Sequence, residues 1–361
     1  MKVVQIITSL NVGGAEKLLI DSLPFYRKNG IVPEVVYLLN KPTLLVDQLE
    51  KTHEGNHYCL TKGSVYNPML IFKLIPFLRN NDIAHVHLFP SLYWVVLAKL
   101  ISFSSIKIVY TEHSTNNRRR ANALLKLIDR FIYRKVDTII TIADEVDKKL
   151  KSHLGMENVS SFRVINNGVN LTSFRDALPY PKSDFFDESS IILIQVSSFR
   201  YPKDQPTVIR AIRGLDKKVK LLLVGEGPLM EDNIKLVAEL NLQDRVLFLG
   251  LRDDVPRLLK TSDIVILSSV YEGLSLSSIE GMAVKPFIAS DVPGLREIVN
   301  GYGMLFKQGD VRQLGENIVS LYSDRELYGR IATQCAGRAQ EFDIEIMVGK
   351  YIDVYGRLLQ T

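Results

Sequence analysis

Short apolar runs alternate with amphipathic stretches along most of this chain, and the alternation starts twice. Val3–Thr8, Val35–Leu39, Ile83–His87, Lys107–Thr111 and Thr138–Ile142 read as buried strands. Helical patterns near Ala15–Asn29, Asn67–Asn80, Leu92–Ile101 and Leu124–Lys135 separate them. Strands at this spacing with helices between them mean βαβ units and a parallel sheet. The pattern restarts with strands at Ile191–Ser197, Lys220–Val224, Val246–Phe248, Ile264–Leu267 and Phe287–Ala289, and helices near Pro206–Arg213 and Leu229–Leu240. The 361 residues suit two domains at roughly 150 each. The expected α/β organisation is a first Rossmann-like domain over 1–175, a linker over 176–190 and a second Rossmann-like domain over 191–343. The linker lies in the stretch Leu171 to Ser190, which holds Pro179 and Pro181 and has no apolar period. Two such sheets are expected to face across a cleft, with ligands beyond the carboxyl ends of the strands. Over 344–361, Ile346, Tyr351, Val354 and Leu358 recur at helical spacing. That helix stays on the second domain or crosses back to the first, and periodicity does not choose.

Composition removes several classes. Hydrophobic residues make up 46% and charged residues 24%, which excludes a disordered, collagen-like or coiled-coil chain. Two cysteines, Cys59 and Cys335, exclude a disulfide scaffold and read as small buried apolar residues. The N-terminal apolar run meets Gly13-Gly14 too soon for a signal peptide. The apolar stretch from Tyr93 to Phe103 contains Lys99 and falls short of the ~20 residues that span a bilayer. The expectation is a soluble, intracellular protein.

The segment Glu272-Gly273-Leu274-Ser275-Leu276-Ser277-Ser278-Ile279-Glu280 holds the densest chemistry. It follows a strand and opens a helix, with Ser275 as the expected N-cap. Free N–H groups in a first helical turn, with the helix dipole, favour an anion. Glu272 before the turn and Glu280 within the helix can flank a phosphate and accept hydrogen bonds from sugar or ribose hydroxyls. The alternative is two ordinary acids at a helix start, where acids are favoured anyway.

With these residues the sequence resembles the family-4 retaining glycosyltransferases of the GT-B fold, the glycosyl transferases group 1. Two glutamates separated by seven residues are that family's hallmark. Gly13-Gly14-Ala15-Glu16 is similar to its glycine loop and Thr111-Glu112-His113 to its first-domain histidine. Asn167-Gly168-Val169, Gly225-Glu226-Gly227-Pro228, Phe248-Leu249-Gly250 and Asp291-Val292-Pro293-Gly294 match in family order. The resemblance covers nearly the whole chain. It implies that Glu280 grips the ribose and that Glu272 holds the transferred sugar. Gly273, Leu274 and Ser275 would lie near the diphosphate, with Gly225 at the second-domain glycine turn. Lys203 would neutralise the leaving diphosphate. Gly13 and Gly14 would let backbone approach it. His113 would face the donor sugar, and Leu251 and Arg252 the base. It further implies a nucleotide-sugar donor, UDP- or GDP-linked, retention at the anomeric carbon, no metal and no other cofactor. The implied mechanism is a same-face displacement in which the departing diphosphate helps deprotonate the acceptor. A GT-B epimerase or phosphorylase and a non-catalytic subunit of a transferase complex are the alternatives. Together, Glu272, Glu280, Lys203 and His113 argue against the non-catalytic one.

One position departs from the family. Its arginine five residues before the lysine is Ser198 here, and Arg200 stands three before Lys203. Arg200 either reaches the phosphates by a shifted turn or is a solvated turn residue. His85 and His87 at a strand end read as structural histidines, with one of them facing the cleft as the alternative, and Asp253-Asp254 as acids at a helix start. Gly225-Glu226-Gly227 lacks the third glycine of a dinucleotide fingerprint. No His/Cys/Asp set has metal-ligand spacing.

Charge is concentrated in one place. Between 118 and 135, Arg118, Arg119, Arg120, Lys126, Arg130, Arg134 and Lys135 stand against Asp129 alone, and the whole chain is only +5. A helical projection puts Leu124, Leu127, Ile128 and Phe131 on one face and Arg119, Lys126 and Arg130 on the other with Tyr133. This reads as a solvated face or as contact with an anionic membrane or a lipid-diphosphate acceptor. Nucleic acid is not expected, since the patch is local and lacks interleaved aromatics. The expected partners are therefore a nucleotide-sugar and a glycan or lipid-linked acceptor in surface polysaccharide assembly. The expected location is the cytoplasm, at the inner face of the membrane.

Overall fold

The computed structural model describes residues 1–11, 13–39, 43–113, 123–156 and 161–360, leaving out the side chains of 123 and 124. The chain forms two compact units, Met1–Gly168 with Ile344–Thr361, and Val169–Asp343.

In the first unit, β1 (Val3–Ser9), β2 (Glu34–Leu39), β3 (His57–Thr61), β4 (Ile83–His87), β5 (Lys107–Glu112), β6 (Thr138–Thr141) and β7 (Phe162–Val164) form a parallel sheet. The order is β3-β2-β1-β4-β5-β6-β7. The central strands β1 and β4 are buried almost throughout, as parallel strands covered on both faces must be. Strand order reverses between β1 and β4, so ligand chemistry is expected beyond their carboxyl ends. The helices are α1 (Gly14–Lys28), α2 (Leu44–Thr52), α3 (Leu70–Asn80), α4 (Ser91–Ser102), α5 (Ala123–Tyr133) and α6 (Asp144–Leu154).

The second unit begins with α7 (Leu171–Arg175). Its sheet holds β8 (Ile191–Val196), β9 (Val219–Val224), β10 (Val246–Phe248), β11 (Ile264–Leu267), β12 (Phe287–Ser290) and β13 (Met304–Phe306). They run parallel in the order β10-β9-β8-β11-β12-β13, with the reversal between β8 and β11. Helices α8 (Gln205–Arg213), α9 (Met230–Glu239), α10 (Val255–Thr261), α11 (Leu276–Met282), α12 (Arg296–Val299), α13 (Val311–Ser323) and α14 (Arg325–Gln340) complete it.

Two boundaries differ from those expected. Residues from Val169 onward already belong to the second unit, so the division falls before 175. The stretch 176–190 is packed rather than free. Tyr180 donates its N–H to Thr261 Oγ1 (2.8 Å) and its hydroxyl to Asp254 (2.6 Å), and the Arg257 guanidinium lies 3.7 Å over its ring. The last helix, α15 (Ile344–Gln360), returns to the first unit. Ile344, Met347, Val348, Tyr351 and Tyr355 are buried with Val3, Leu18, Tyr26, Ile83, Val109 and Ile140, whereas Ile346 faces outward.

Candidate functional site

In the second unit, the loops after β8 and β11 flank the point where strand order reverses. They are zipped together by backbone: Val270 N–H donates to Pro202 O (2.9 Å) and Asp204 N–H to Ser268 O (3.0 Å). This places Lys203 beside Glu272, and Nζ forms an ion pair with Oε1. Ser269 Oγ donates to the same carboxylate oxygen (2.6 Å). Ser269 is itself held by Ser290, which accepts from its N–H (2.9 Å) and donates to its carbonyl (2.8 Å). The two charged side chains are only 16% and 11% exposed, so water screens the pair weakly.

Two glycine turns press on these loops. Gly294 has φ +87°, and a Cβ there would lie 2.3 Å from Glu272 O. The neighbouring Pro293 carbonyl accepts from Glu272 N–H (3.1 Å). Gly225 has φ +129°, and a Cβ would lie 2.3 Å from Ser197 O. Only glycine allows these close approaches. The Asp291–Gly294 and Gly225–Pro228 segments thus hold Glu272 and the loop that carries Lys203.

The other expected residues of this unit are placed less uniformly. Glu280 sits in α11 and is buried. Ser275 occupies the N-cap position without capping by its side chain, because its hydroxyl pairs with that of Ser277 (3.1 Å). Gly273 and Leu274 lie in the loop between Glu272 and that N-cap. Leu251 is exposed. Arg252 makes a two-pronged contact with Asp254 (2.8 and 2.5 Å), which raises the guanidinium pKa and holds the carboxyl down to about 2. Asp254 does stand at a helix start, but its carboxylate is taken by Arg252 and Tyr180 and makes no cap bond. Arg200 and Ser198 are exposed in a turn in which Lys203 N–H donates to Arg200 O (2.7 Å). The shifted turn therefore exists, and it turns the Arg200 side chain to solvent.

In the first unit, Gly13 precedes α1 with φ −154°, extended backbone that any residue adopts, and Gly14 opens the helix. His113 follows β5. Its Nε2 lies 3.2 Å from His87 Nδ1, and His87 Nε2 lies 2.9 Å from Gln5 Oε1. Gln5 Nε2 donates to the Tyr355 hydroxyl (3.4 Å), which also meets Tyr26 (2.8 Å) and His85 Nδ1 (2.5 Å). His85 Nε2 lies 2.7 Å from Thr111 Oγ1. Burial lowers the pKa of His85 to about 3, that of His113 to about 4 and that of His87 well below its usual value. The three rings are neutral near pH 7.

Helix α5 turns the opposite way from the projection. Asp129, Ile132 and Tyr133 are buried, while Leu127 (63%) and Phe131 (51%) are exposed and Ile128 is partly so. Asp129 is the cause: it accepts from Tyr93 and pairs with His153 (2.9 Å). Arg130 is not on a solvated basic face, since its Nε donates to Leu154 O at the end of α6 (2.7 Å). Lys126 is partly buried, and Arg119 lies outside the described residues.

Sequence reading missed Ser269 and Ser290, which clamp Glu272, and Gln5, Tyr26 and Tyr355, which support the histidines. Ser268-Ser269 directly after an apolar run was the one local signal. Nothing near Tyr355 in sequence points to His113.

Comparison with known proteins places this geometry among relatives. Residues 12–173 match the family model described as Glycosyltransferase Family 4, and residues 179–336 that of Glycosyl transferases group 1. The chain is 31% identical to N-acetyl-alpha-D-glucosaminyl L-malate synthase of Bacillus anthracis, over 84% of its own length and 83% of that protein. It is 24% identical, over 93% and 94%, to a Campylobacter jejuni N-acetylgalactosamine-N,N'-diacetylbacillosaminyl-diphospho-undecaprenol 4-alpha-N-acetylgalactosaminyltransferase. Among solved structures, Anabaena HepE in complex with UDP superimposes with a TM-score of 0.84 at 20% identity, covering 99% of this chain and all of that one.

Proposed function

We propose that this chain, which belongs to glycosyltransferase family 4, moves a sugar from a UDP- or GDP-linked donor to a glycan or lipid-linked acceptor, with retention at the anomeric carbon. The observation that carries the reading is the Lys203–Glu272 pair, clamped by Ser269 and by the turn at Gly294. A cation beside a hydroxyl-accepting carboxylate suits a substrate that is anionic at one end and polyhydroxylated at the other.

In this reading Lys203 neutralises the diphosphate as it leaves, with no metal ion. Glu272 accepts from hydroxyls of the transferred sugar, and Glu280 from those of the ribose. Leu251 and Arg252 border the base. Gly225, Gly273, Leu274 and Ser275 offer backbone to the donor from the second unit, and Gly13 and Gly14 from the first. His113 meets the sugar. Arg200, exposed on its turn, is the most expendable candidate. The acceptor oxygen bonds to the anomeric carbon as the bond to the diphosphate breaks, and its proton passes to the departing diphosphate.

The acceptor side rests on a different observation. The exposed apolar stripe of α5 suits a lipid surface better than solvent. The relative named for a diphospho-undecaprenol acceptor supports a lipid-linked substrate in surface glycan assembly at the inner membrane face, whereas the malate synthase supports a small hydroxy acid.

A thermal-shift screen against UDP, GDP, ADP and their sugars tests the donor. A ligand at one hundred times its Kd stabilises by about 2.7 kcal/mol. No shift with any of them would sink the reading, and transfer lost in EDTA and restored by Mg²⁺ would sink its metal-free form. Sedimentation with anionic liposomes tests the acceptor side. The wild type is expected to pellet at low salt and the Leu127→Asp/Phe131→Asp variant to stay in solution. Equal pelleting would discard the lipid contact.

A further inference from the structure

The hydrogen bonds behind His113 have a direction. The amide nitrogen of Gln5 is a donor and faces Tyr355, so the amide oxygen faces His87 Nε2 at 2.9 Å. An amide oxygen only accepts, so His87 Nε2 carries a hydrogen. A buried neutral imidazole has one such hydrogen, which leaves His87 Nδ1 bare. His113 Nε2, 3.2 Å from that bare nitrogen, is therefore the donor in the next bond. A neutral His113 that spends its hydrogen there has a bare Nδ1. Among the described residues, that Nδ1 is buried and has no hydrogen-bond partner. A buried acceptor without a partner is unfavourable, and a bound hydroxyl would supply the missing hydrogen bond.

The geometry points to Gln5, His87 and Tyr355 as positioning residues that hold His113 in its Nε2–H tautomer, so that Nδ1 serves as an acceptor for a ligand hydroxyl. A bare imidazole nitrogen accepts from hydroxyl or N–H groups and gains nothing from a phosphate or carboxylate oxygen. His113 thus selects a hydroxylated part of the ligand and discriminates against its anionic part. That this part is the transferred sugar rests on the glycosyltransferase reading; the tautomer does not. Tyr355 brings α15 into the arrangement. Its hydroxyl takes the amide hydrogen of Gln5, and without that hydroxyl the amide is free to turn over and reverse every bond as far as His113.

The test reads the tautomer directly. The full chain is labelled with ¹⁵N-histidine, and long-range ¹H–¹⁵N correlation spectra are recorded near pH 7.5, with His113 assigned from a His113→Gln spectrum. The expected wild-type pattern is a protonated Nε2 and a bare Nδ1. Tyr355→Phe and Gln5→Leu are each expected to convert His113 to a tautomer mixture. In whichever variant melts near the wild-type temperature, kcat/KM for transfer should fall about tenfold, with UDP affinity unchanged. A wild-type proton on His113 Nδ1, or an unaltered Nε2–H form in a folded variant, would overturn the proposal. The expected tautomers in a chain that turns over no nucleotide-sugar would uphold the relay and overturn the transferase reading.

Discussion

From the middle of the first sheet to the carboxyl ends of its strands, Gln5, His85, His87 and Thr111 are buried, neutral and joined ring to amide to hydroxyl. At the corresponding end of the second sheet, Lys203 and Glu272 stand as an ion pair fixed by hydroxyls. The same architecture carries opposite electrostatics. A neutral network escapes most of the desolvation cost of buried ions and sets direction through which atom holds each hydrogen. An ion pair costs more to bury and offers charge in return.

The comparison breaks first at Glu272. Glu272→Ala should lower transfer by about 10²–10³, the range for loss of one electrostatic contact in a transition state. It also strands Lys203, at about 3 kcal/mol of stability in the second unit. Steady-state rates and urea midpoints check both. If Lys203→Ala and the double variant show effects that simply add, the two residues do not act as a pair.

A pH series sharpens the neutral half. His85 and His113 titrate near 3 and 4 in the folded chain, against an ordinary value of 6.5. Because the folded values are depressed, the unfolded chain takes up protons first as pH falls. The stabilisation is complete above pH ~6.5 and drains away toward pH 4, at a slope of ~1.4 kcal/mol per pH unit for each histidine. The single tryptophan, Trp94, lies in α4 and reports on the first unit. Unfolding free energies from urea titrations followed by its fluorescence should fall by roughly 5 kcal/mol between pH 7 and pH 4.5, about half from each histidine. A flat profile would mean the histidines are not held neutral.

Glu280→Ala should weaken nucleotide binding by about tenfold or more, from a charge-assisted hydrogen bond of roughly 1.5–3 kcal/mol. Calorimetry with UDP, GDP and ADP checks it, and unchanged affinity for all three would remove the ribose assignment. The smallest expected effect is at Tyr180. Tyr180→Phe should cost about 1 kcal/mol in the second unit, by loss of its bond to Asp254, and leave the first unit unmoved.

The strands were legible because parallel strands covered on both faces are mostly apolar, as in Ile264–Leu267. The edge strand β3, with Tyr58 exposed and His57 half-buried, gives no such run and escaped notice. Glu272 and Glu280 stood out through spacing, because one loop-to-helix segment carries both, and Lys203 through the family resemblance. The supports of His113 did not, since Gln5 and Tyr355 lie far from it in sequence and belong to elements that periodicity reads as ordinary core. Helix α5 misled for a physical reason. It has two apolar stripes, and the buried Asp129, anchored by Tyr93 and His153, decides which one faces in.

The return of α15 to the first unit also bears on the order in which the protein is made. Residues 169–343 are continuous and can pack as soon as they leave the ribosome. The first sheet emerges earlier, yet the helix that covers Val3, Ile83, Val109 and Ile140 is translated last of the described elements. Until then a strip of its apolar surface has no partner, and the hydroxyl that orients Gln5 does not yet exist. The earlier half of the nascent chain is thus the later to mature, and a shortened transcript ending before residue 344 would yield a finished second unit tethered to an uncovered first sheet.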